Sequence, residues 1–264
     1  MHAPKTAARK IKKVIVFLAG LLVCQLALAA PSAGATNPPP RIKIILAGDS
    51  TVNDGGGWGD GFKRLLDGDI ECVNTAANGR SSKSFIDEGK WKAALALKGD
   101  YYLIQFGHND EPGKGPARET DPATTYPQNL ARYVDDTRAI GATPILVTSL
   151  TRRNFDKSGD GKLLPNLEPY VAAMKKVAAE KRVLLIDLHA LSVAYCEKIG
   201  PVETSKLNAI HDGKPDTTHL NAAGRMVFGR MMIGALRQAV PALAPHLLTH
   251  STKSGAKTPV DGGN

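Results

Sequence analysis

Five short apolar runs, each followed by an amphipathic or polar stretch, constrain the fold of this chain more than any other feature. They are Ile42 to Ala47, Ile70 to Asn74, Tyr101 to Phe106, Thr143 to Thr148 and Val183 to Asp187. A strand that is apolar at nearly every position has both faces buried, as in a parallel sheet covered by helices on either side. Helices are expected at Trp58 to Leu66, Trp91 to Leu97, Thr125 to Ile140, Leu167 to Glu180 and Asn221 to Gln238. In the third of these, Leu130, Val134 and Ile140 recur at helical spacing, and Gly141 marks the stop. No internal repeat is present. The pattern predicts an open α/β fold, a flavodoxin-like three-layer α/β/α sandwich around a five-stranded parallel sheet. In such sheets ligands lie outside the carboxyl ends of the strands, so polar clusters that directly follow strands are the places to look for chemistry.

The two ends are of a different kind. Lys5, Arg9, Lys10, Lys12 and Lys13 precede an apolar run from Val14 to Ala30 that closes in Ala27-Leu28-Ala29, the layout of a secretory signal peptide. Residues 1–29 are expected to be removed, with cleavage before Ala30. The run is 17 residues, at the short limit for spanning a bilayer, and leads into small residues and prolines, so no stable membrane anchor is expected. Cys24 follows Val23, where lipoprotein processing wants a small side chain. Residues 30–40 read as a Pro-rich linker, 41–245 as one catalytic domain with a single substantial core, and 246–264 as a disordered tail. Loss of the first 29 residues lowers the formal charge from +9 to +4. That mild excess, without a basic stripe, argues against nucleic acid as a partner and leaves an anionic carbohydrate compatible. Cys72 and Cys196 remain in the processed chain, free to pair in an oxidising compartment or to stay separate, and no Cys/His cluster suggests zinc. The expected product is a secreted or periplasmic monomer.

Four polar clusters fall where chemistry is expected. Ala47-Gly48-Asp49-Ser50-Thr51 follows the first strand; Gly48 permits a sharp turn that presents the Ser50 hydroxyl and frees backbone N–H groups, although an ordinary helix cap by Asp49 or Ser50 would look the same. Asn78-Gly79 follows the second strand and is either a simple turn or a point of close backbone approach to a substrate oxygen. Gly107-His108-Asn109-Asp110 follows the third, where the Asn109 amide could donate to negative charge developing on a carbonyl oxygen. His108 is the less suitable base, because Asn109 and Asp110 beside it suit a loop that aims the amide. Asp216-Thr217-Thr218-His219 precedes the last helix; a spacing of three puts carboxylate and imidazole within one turn, a base with its orienting partner, or else a helix cap with an exposed histidine.

Three clusters after successive strands, with the acid–base pair returning at the far end, form an order that independent accidents would not produce. Here the sequence resembles the SGNH or GDSL-type hydrolases, whose four blocks contribute Ser, Gly, Asn and His in that chain order, matched by Ser50, Gly79, Asn109 and His219. Within that superfamily it is most similar to the rhamnogalacturonan acetylesterases, through the run from Asn78 to Gly89, Gly-His-Asn-Asp-Glu at 107–111 and the run from Leu150 to Phe155. The segment from Gly113 to Thr124 is where departure from relatives is expected, bearing on fine substrate preference and not on the reaction. The resemblance implies the SGNH hydrolase fold and a triad of Ser50, Asp216 and His219. It also implies an oxyanion hole from the N–H groups of Ser50 and Gly79 and the Asn109 side chain, and acetyl removal from a pectic polysaccharide without metal or organic cofactor.

Substrate residues are expected among Arg80, Lys83, Arg152 and Arg153, cations in loops near the cleft that suit a galacturonate carboxylate, or else solvated surface charges. Trp58 and Trp91 are expected in the core, with sugar stacking as the alternative. Competing functions are an acetylesterase for xylan or small acetylated sugars, and a lipase-like esterase, which the lack of an apolar cap disfavours. A hydrolase with a cation on Asp49, Asp110, Asp216 and His219, and a non-catalytic carbohydrate-binding protein, complete the alternatives.

Overall fold

In the computed structural model, which describes residues 41–249, five expected strands lie parallel in one sheet. They are β1 (Ile42–Gly48), β2 (Ile70–Asn74), β3 (Tyr101–Gln105), β4 (Thr143–Val147) and β5 (Leu184–Ile186), in spatial order β2-β1-β3-β4-β5. Register pairs Ile45 of β1 with Val73 on one side and Tyr102 on the other. Period-two alternation sorts the side chains into two cores. Ile44, Leu46, Leu103, Ile145 and Val147 face one layer, and Ile45, Ala47, Tyr102, Ile104 and Leu146 face the other.

The helices are α1 (Gly59–Lys63), α2 (Ser82–Asp87), α3 (Lys90–Ala96), α4 (Thr125–Ala139), α5 (Glu168–Lys181), α6 (Leu188–Ser205) and α7 (Ala222–Ala239). Phe62 of α1, Cys196 of α6 and Phe228, Met232 and Leu236 of α7 cover the first face; Phe85, Trp91, Leu130, Tyr133 and Met174 of α2 to α5 cover the second. This is the three-layer α/β/α sandwich. The first helix is shorter than expected, because the chain leaves α geometry for turns soon after Lys63. Two helices, α2 and α6, and an antiparallel hairpin of β6 (Asn208–His211) and β7 (Lys214–Leu220) had no sequence expectation.

A 3-10 turn at Pro241–His246 leads to Leu247, which is buried and bridges to Leu66, while the Leu248 N–H donates to Leu65 O. The domain boundary expected at Pro245 thus falls inside a docked segment that continues to Leu248. The segments expected to be a signal peptide and linker, and the expected tail beyond Thr249, lie outside the described residues. Among those residues no helix is long and apolar enough to cross a membrane. Cys72 on β2 and Cys196 on α6 are both free. Trp58 and Trp91 are buried, their indole N–H groups on Gln105 Oε1 (2.9 Å) and Asp136 Oδ2 (3.0 Å), as core residues rather than sugar platforms.

Candidate active site

The loop after β1 is folded around Asp49. Its Oδ1 accepts from the Thr51 N–H (2.8 Å) and Thr51 hydroxyl (2.6 Å), and its carbonyl accepts from the N–H groups of Val52 and Asn53. Asp49 is fully buried. Burial opposes its charge, but the facing His108 ring and the Thr51 donors outweigh that and hold its carboxyl below the ordinary value. Gly48 is required for space: a Cβ there would lie 2.6 Å from both Gln105 O and Val52 Cγ2.

This loop points the Ser50 hydroxyl at the far end of the chain. His219 Nε2 lies 2.8 Å from Ser50 Oγ, and His219 Nδ1 lies 2.6 Å from Asp216 Oδ2. Asp216 Oδ1 accepts from the N–H groups of Thr218 (2.8 Å) and His219 (3.0 Å). The spacing of three works through a bulge instead of a helical turn: Asn208 pairs with Leu220 and Ala209 with Asp216, so Thr217, Thr218 and His219 loop out of β7. Neither Asp216 nor Thr218 caps α7; Asn221 does, accepting from the Gly224 N–H.

Three donors face the same space. The N–H groups of Ser50 and Gly79 find no protein acceptor among the described residues, and Asn109 Nδ2 gives one hydrogen to Arg80 O (3.2 Å) and has one to spare. Gly79 has φ +73°, a conformation that L side chains rarely adopt. Ser50, Gly79, Asn109, Asp216 and His219 together line an open cavity of about 430 Å³ at the carboxyl end of the sheet. A nucleophile, a base with an oriented tautomer and three N–H donors around one point can attack an acyl carbon and hold the resulting oxyanion.

His108 takes no part in this arrangement. It is buried beside Asp49, with Nδ1 3.6 Å from Asp49 Oδ2. Asp110 is also buried, accepting from Ser82 N–H, Ser82 hydroxyl and Thr120 hydroxyl, which ties the Asn109 loop to α2. The four residues of the cation hypothesis do not converge: Asp49 faces His108, Asp110 faces Ser82, and only Asp216 and His219 meet. Among the described residues, a group with ligand-type atoms close enough for an ion is Asp67, Asp69 and His246, beside the amino end of β2 and away from the cleft.

None of the four cations expected at the substrate lines the cavity. Arg80 pairs with Glu88 (2.9 Å), Lys83 donates to Pro116 O (2.7 Å), and Arg152 makes a two-pronged pair with Glu111. Arg153 is a correction: it is buried, with Nε on Asn208 Oδ1, Nη2 on His219 O (2.7 Å) and its guanidinium over the Phe228 ring. It supports the histidine from behind. The sequence did not single out Gly55, Gly56, Ala209, Ile210 and His211, which complete the cavity wall. Asp212-Gly213 was the signal for the last three, a dipeptide favoured in tight hairpins.

A profile of the GDSL-like lipase/acylhydrolase family matches residues 45–227. The chain is 35% identical over 230 residues to the rhamnogalacturonan acetylesterase RhgT of Bacillus subtilis, covering 80% of this chain and 97% of that protein. The solved structure of the Bacillus subtilis protein YxiM matches with a TM-score of 0.66 at 30% identity, over 76% of this chain and 57% of that one. A variant of the acetyl xylan esterase Axe2 from Geobacillus stearothermophilus shares the fold, with a TM-score of 0.57 at 20% identity over 75% of this chain and 94% of that one.

Proposed function

The chain belongs to the GDSL-like lipase/acylhydrolase family and is a carboxylic ester hydrolase; on that premise we propose that it is a secreted serine acetylesterase removing acetyl groups from rhamnogalacturonan. The unbroken series from Asp216 Oδ2 through the His219 ring to Ser50 Oγ, with contacts of 2.6 and 2.8 Å, is the observation that carries it.

Ser50 Oγ attacks the ester carbonyl as His219 Nε2 takes its proton. Asp216 keeps the other proton on Nδ1 and stabilises the imidazolium. Negative charge on the carbonyl oxygen meets the N–H groups of Ser50 and Gly79 and the Asn109 amide; one such donor is typically worth on the order of 10² to 10³ in rate. His219 then protonates the departing sugar oxygen, leaving an acetyl ester on Ser50. Water, deprotonated by the same imidazole, attacks that ester and releases acetate and the free serine.

The choice of carbohydrate is supported by the kinship to RhgT and by an open cleft with Asn78 and His211 on its walls. Secretion is supported by the basic, apolar and small-residue order of residues 1–29. The test follows acetate release from acetylated rhamnogalacturonan, acetylated xylan and a chromogenic acetate in parallel. The expected result is preference for rhamnogalacturonan, with Ser50→Ala losing at least about 10³-fold on all three. Preference for xylan rejects the substrate and keeps the triad; activity that survives in Ser50→Ala but is lost with a chelator rejects the serine mechanism.

A further inference from the structure

Arg80, Lys83, Arg152 and Arg153 are all committed to protein partners, so the cleft needs another cation if it reads charge on its substrate. Arg118 stands apart from them. It lies in the segment between β3 and α4, where its backbone N–H donates to Gly115 O (2.9 Å) and its Nε to Lys114 O (2.8 Å). Among the described residues its two terminal nitrogens meet no acceptor and no carboxylate. Nη1 stands 3.7 Å from the point that a Cβ would occupy on Gly79, and Gly79 lines the cavity with Ser50 and Asn109. The residue is thus half-buried beside Gly79, next to the cavity lining but not part of it, its Nε already fixed and its fork free.

A guanidinium keeps its charge at every physiological pH and presents parallel N–H donors that match a carboxylate. Partial burial weakens screening, and the bond from Nε removes part of the ordering cost of a contact. We infer that Arg118 is the carboxylate-reading residue of this cleft, binding the free carboxylate of a uronate while Ser50 attacks an acetyl ester of the same polysaccharide. This rests on the carbohydrate esterase assignment and adds to it the charge that the site selects. Lys214, in the adjoining groove beyond Asp216, is the rival cation, but it is an exposed ammonium on a flexible stem.

The test is inhibition of chromogenic acetate hydrolysis by deacetylated rhamnogalacturonan oligosaccharides, used native or with their carboxylates reduced to alcohols. Wild type, Arg118→Gln, Arg118→Lys and Lys214→Gln are compared. For wild type, reduction of the carboxylates is expected to weaken inhibition roughly tenfold to hundredfold, the span of one charge-assisted contact. Arg118→Gln should bind native and reduced oligosaccharides equally weakly while its kcat and KM on the neutral acetate stay at wild-type values, and Arg118→Lys should fall between. The inference is overturned if Arg118→Gln still prefers the native oligosaccharide, if Lys214→Gln abolishes the preference, if wild type has none, or if Arg118→Gln also loses turnover of the neutral acetate. That last result makes Arg118 a support for Gly79. Carboxylate-dependent inhibition in an enzyme that releases no acetate from acetylated rhamnogalacturonan rejects the polymer and leaves Arg118 in its role.

Discussion

Asp216 performs two tasks with the two oxygens of one carboxylate. Oδ1 closes the bulge by accepting from the N–H groups of Thr218 and His219, and Oδ2 holds His219 Nδ1. Burial opposes its charge, yet the His219 ring and these backbone donors outweigh it, so the carboxyl sits below the ordinary value. Its share of stability is therefore present above about pH 4 and is lost as pH falls through the lowered folded value. Asp216→Asn would keep Oδ1 on the two N–H groups and turn Nδ2 toward His219. The imidazole would then have to accept at Nδ1 and carry its proton on Nε2, facing Ser50 with a donor. A loss in kcat on the order of 10³ to 10⁴ with KM little changed is expected on the chromogenic acetate; an equal rise in KM would mean that the bulge itself had collapsed. The three side chains that meet here, Ser50, Asp216 and His219, were legible in the sequence as candidates because each sits in a polar cluster at a strand end or before a helix. Arg153 was not, since Arg152 and Arg153 are neighbours of the same type. Nothing local says that the first pairs outward with Glu111 while the second turns inward to Asn208, 55 residues on in a hairpin the sequence did not announce. Burial pushes the Arg153 guanidinium down to about 10, which still leaves it charged behind the histidine.

At the scale of elements, the Ser50 loop is held by the contact between α1 and α7, where two backbones touch. A Cβ on Gly229 would lie 2.3 Å from the carbonyl carbon of Gly61 and 2.4 Å from Phe62 N, while Gly234 in the same helix has nothing within 4 Å. One substitution should therefore have opposite signs five residues apart. Gly229→Ala is expected to lose about 1–3 kcal/mol by overpacking, and Gly234→Ala to gain up to about 1 kcal/mol from helix propensity, both read by urea denaturation. Arg225 of α7 donates to Asp54 O, so the displacement at Gly229 should also lower kcat. The legible elements were the five strands, read as apolar runs, and the helices α1, α3, α4, α5 and α7, whose expected spans overlap the observed ones. In α6 the buried set includes His189, Ser192 and Thr204, and Gly200 at φ +77° followed by Pro201 breaks the helix. α2 is six residues long and is capped by Ser81 and Ser84 in place of a longer acidic partner. The β6–β7 hairpin exposes Ile210 and pairs only with itself, so hydrophobic alternation was too short to show it; Asp212 and Gly213 at φ +49° and +72° were its local mark.

Across the whole molecule, Asp110 joins parts that are far apart in the chain. Its side chain binds Ser82 of α2 and Thr120 of the segment that carries Arg118, and its carbonyl accepts from the Tyr170 hydroxyl of α5. Burial pushes its carboxyl up to about 7 against the pull of the Ser82 and Thr120 donors. The folded protein thus holds this proton more tightly than the unfolded chain. The contribution is fully present below about pH 4 and is lost as pH rises through about 7. At about 1.4 kcal/mol per pKa unit, that is on the order of 4 kcal/mol. Asp49, Asp187 and Asp216 are shifted the other way and lose stability only toward strong acid, while burial holds His189 below its ordinary value, so its share is lost as pH falls through the usual histidine range. In Asp110→Asn the amide oxygen can replace Oδ1, which takes both hydroxyl bonds, and the amide nitrogen can replace Oδ2, whose one contact is the Ser82 N–H it shares with Oδ1 at 3.1 Å. Urea denaturation of wild type and variant near pH 5 and pH 8 isolates the group, because every other ionisation is common to both. The expected outcome is a fall in wild-type stability between the two pH values that is larger than the variant's by about 2 to 3 kcal/mol. Parallel behaviour of the two proteins would mean that Asp110 is already ionised at pH 5, with the three donors outweighing burial, and that the Asn109 loop is anchored by a carboxylate rather than an acid.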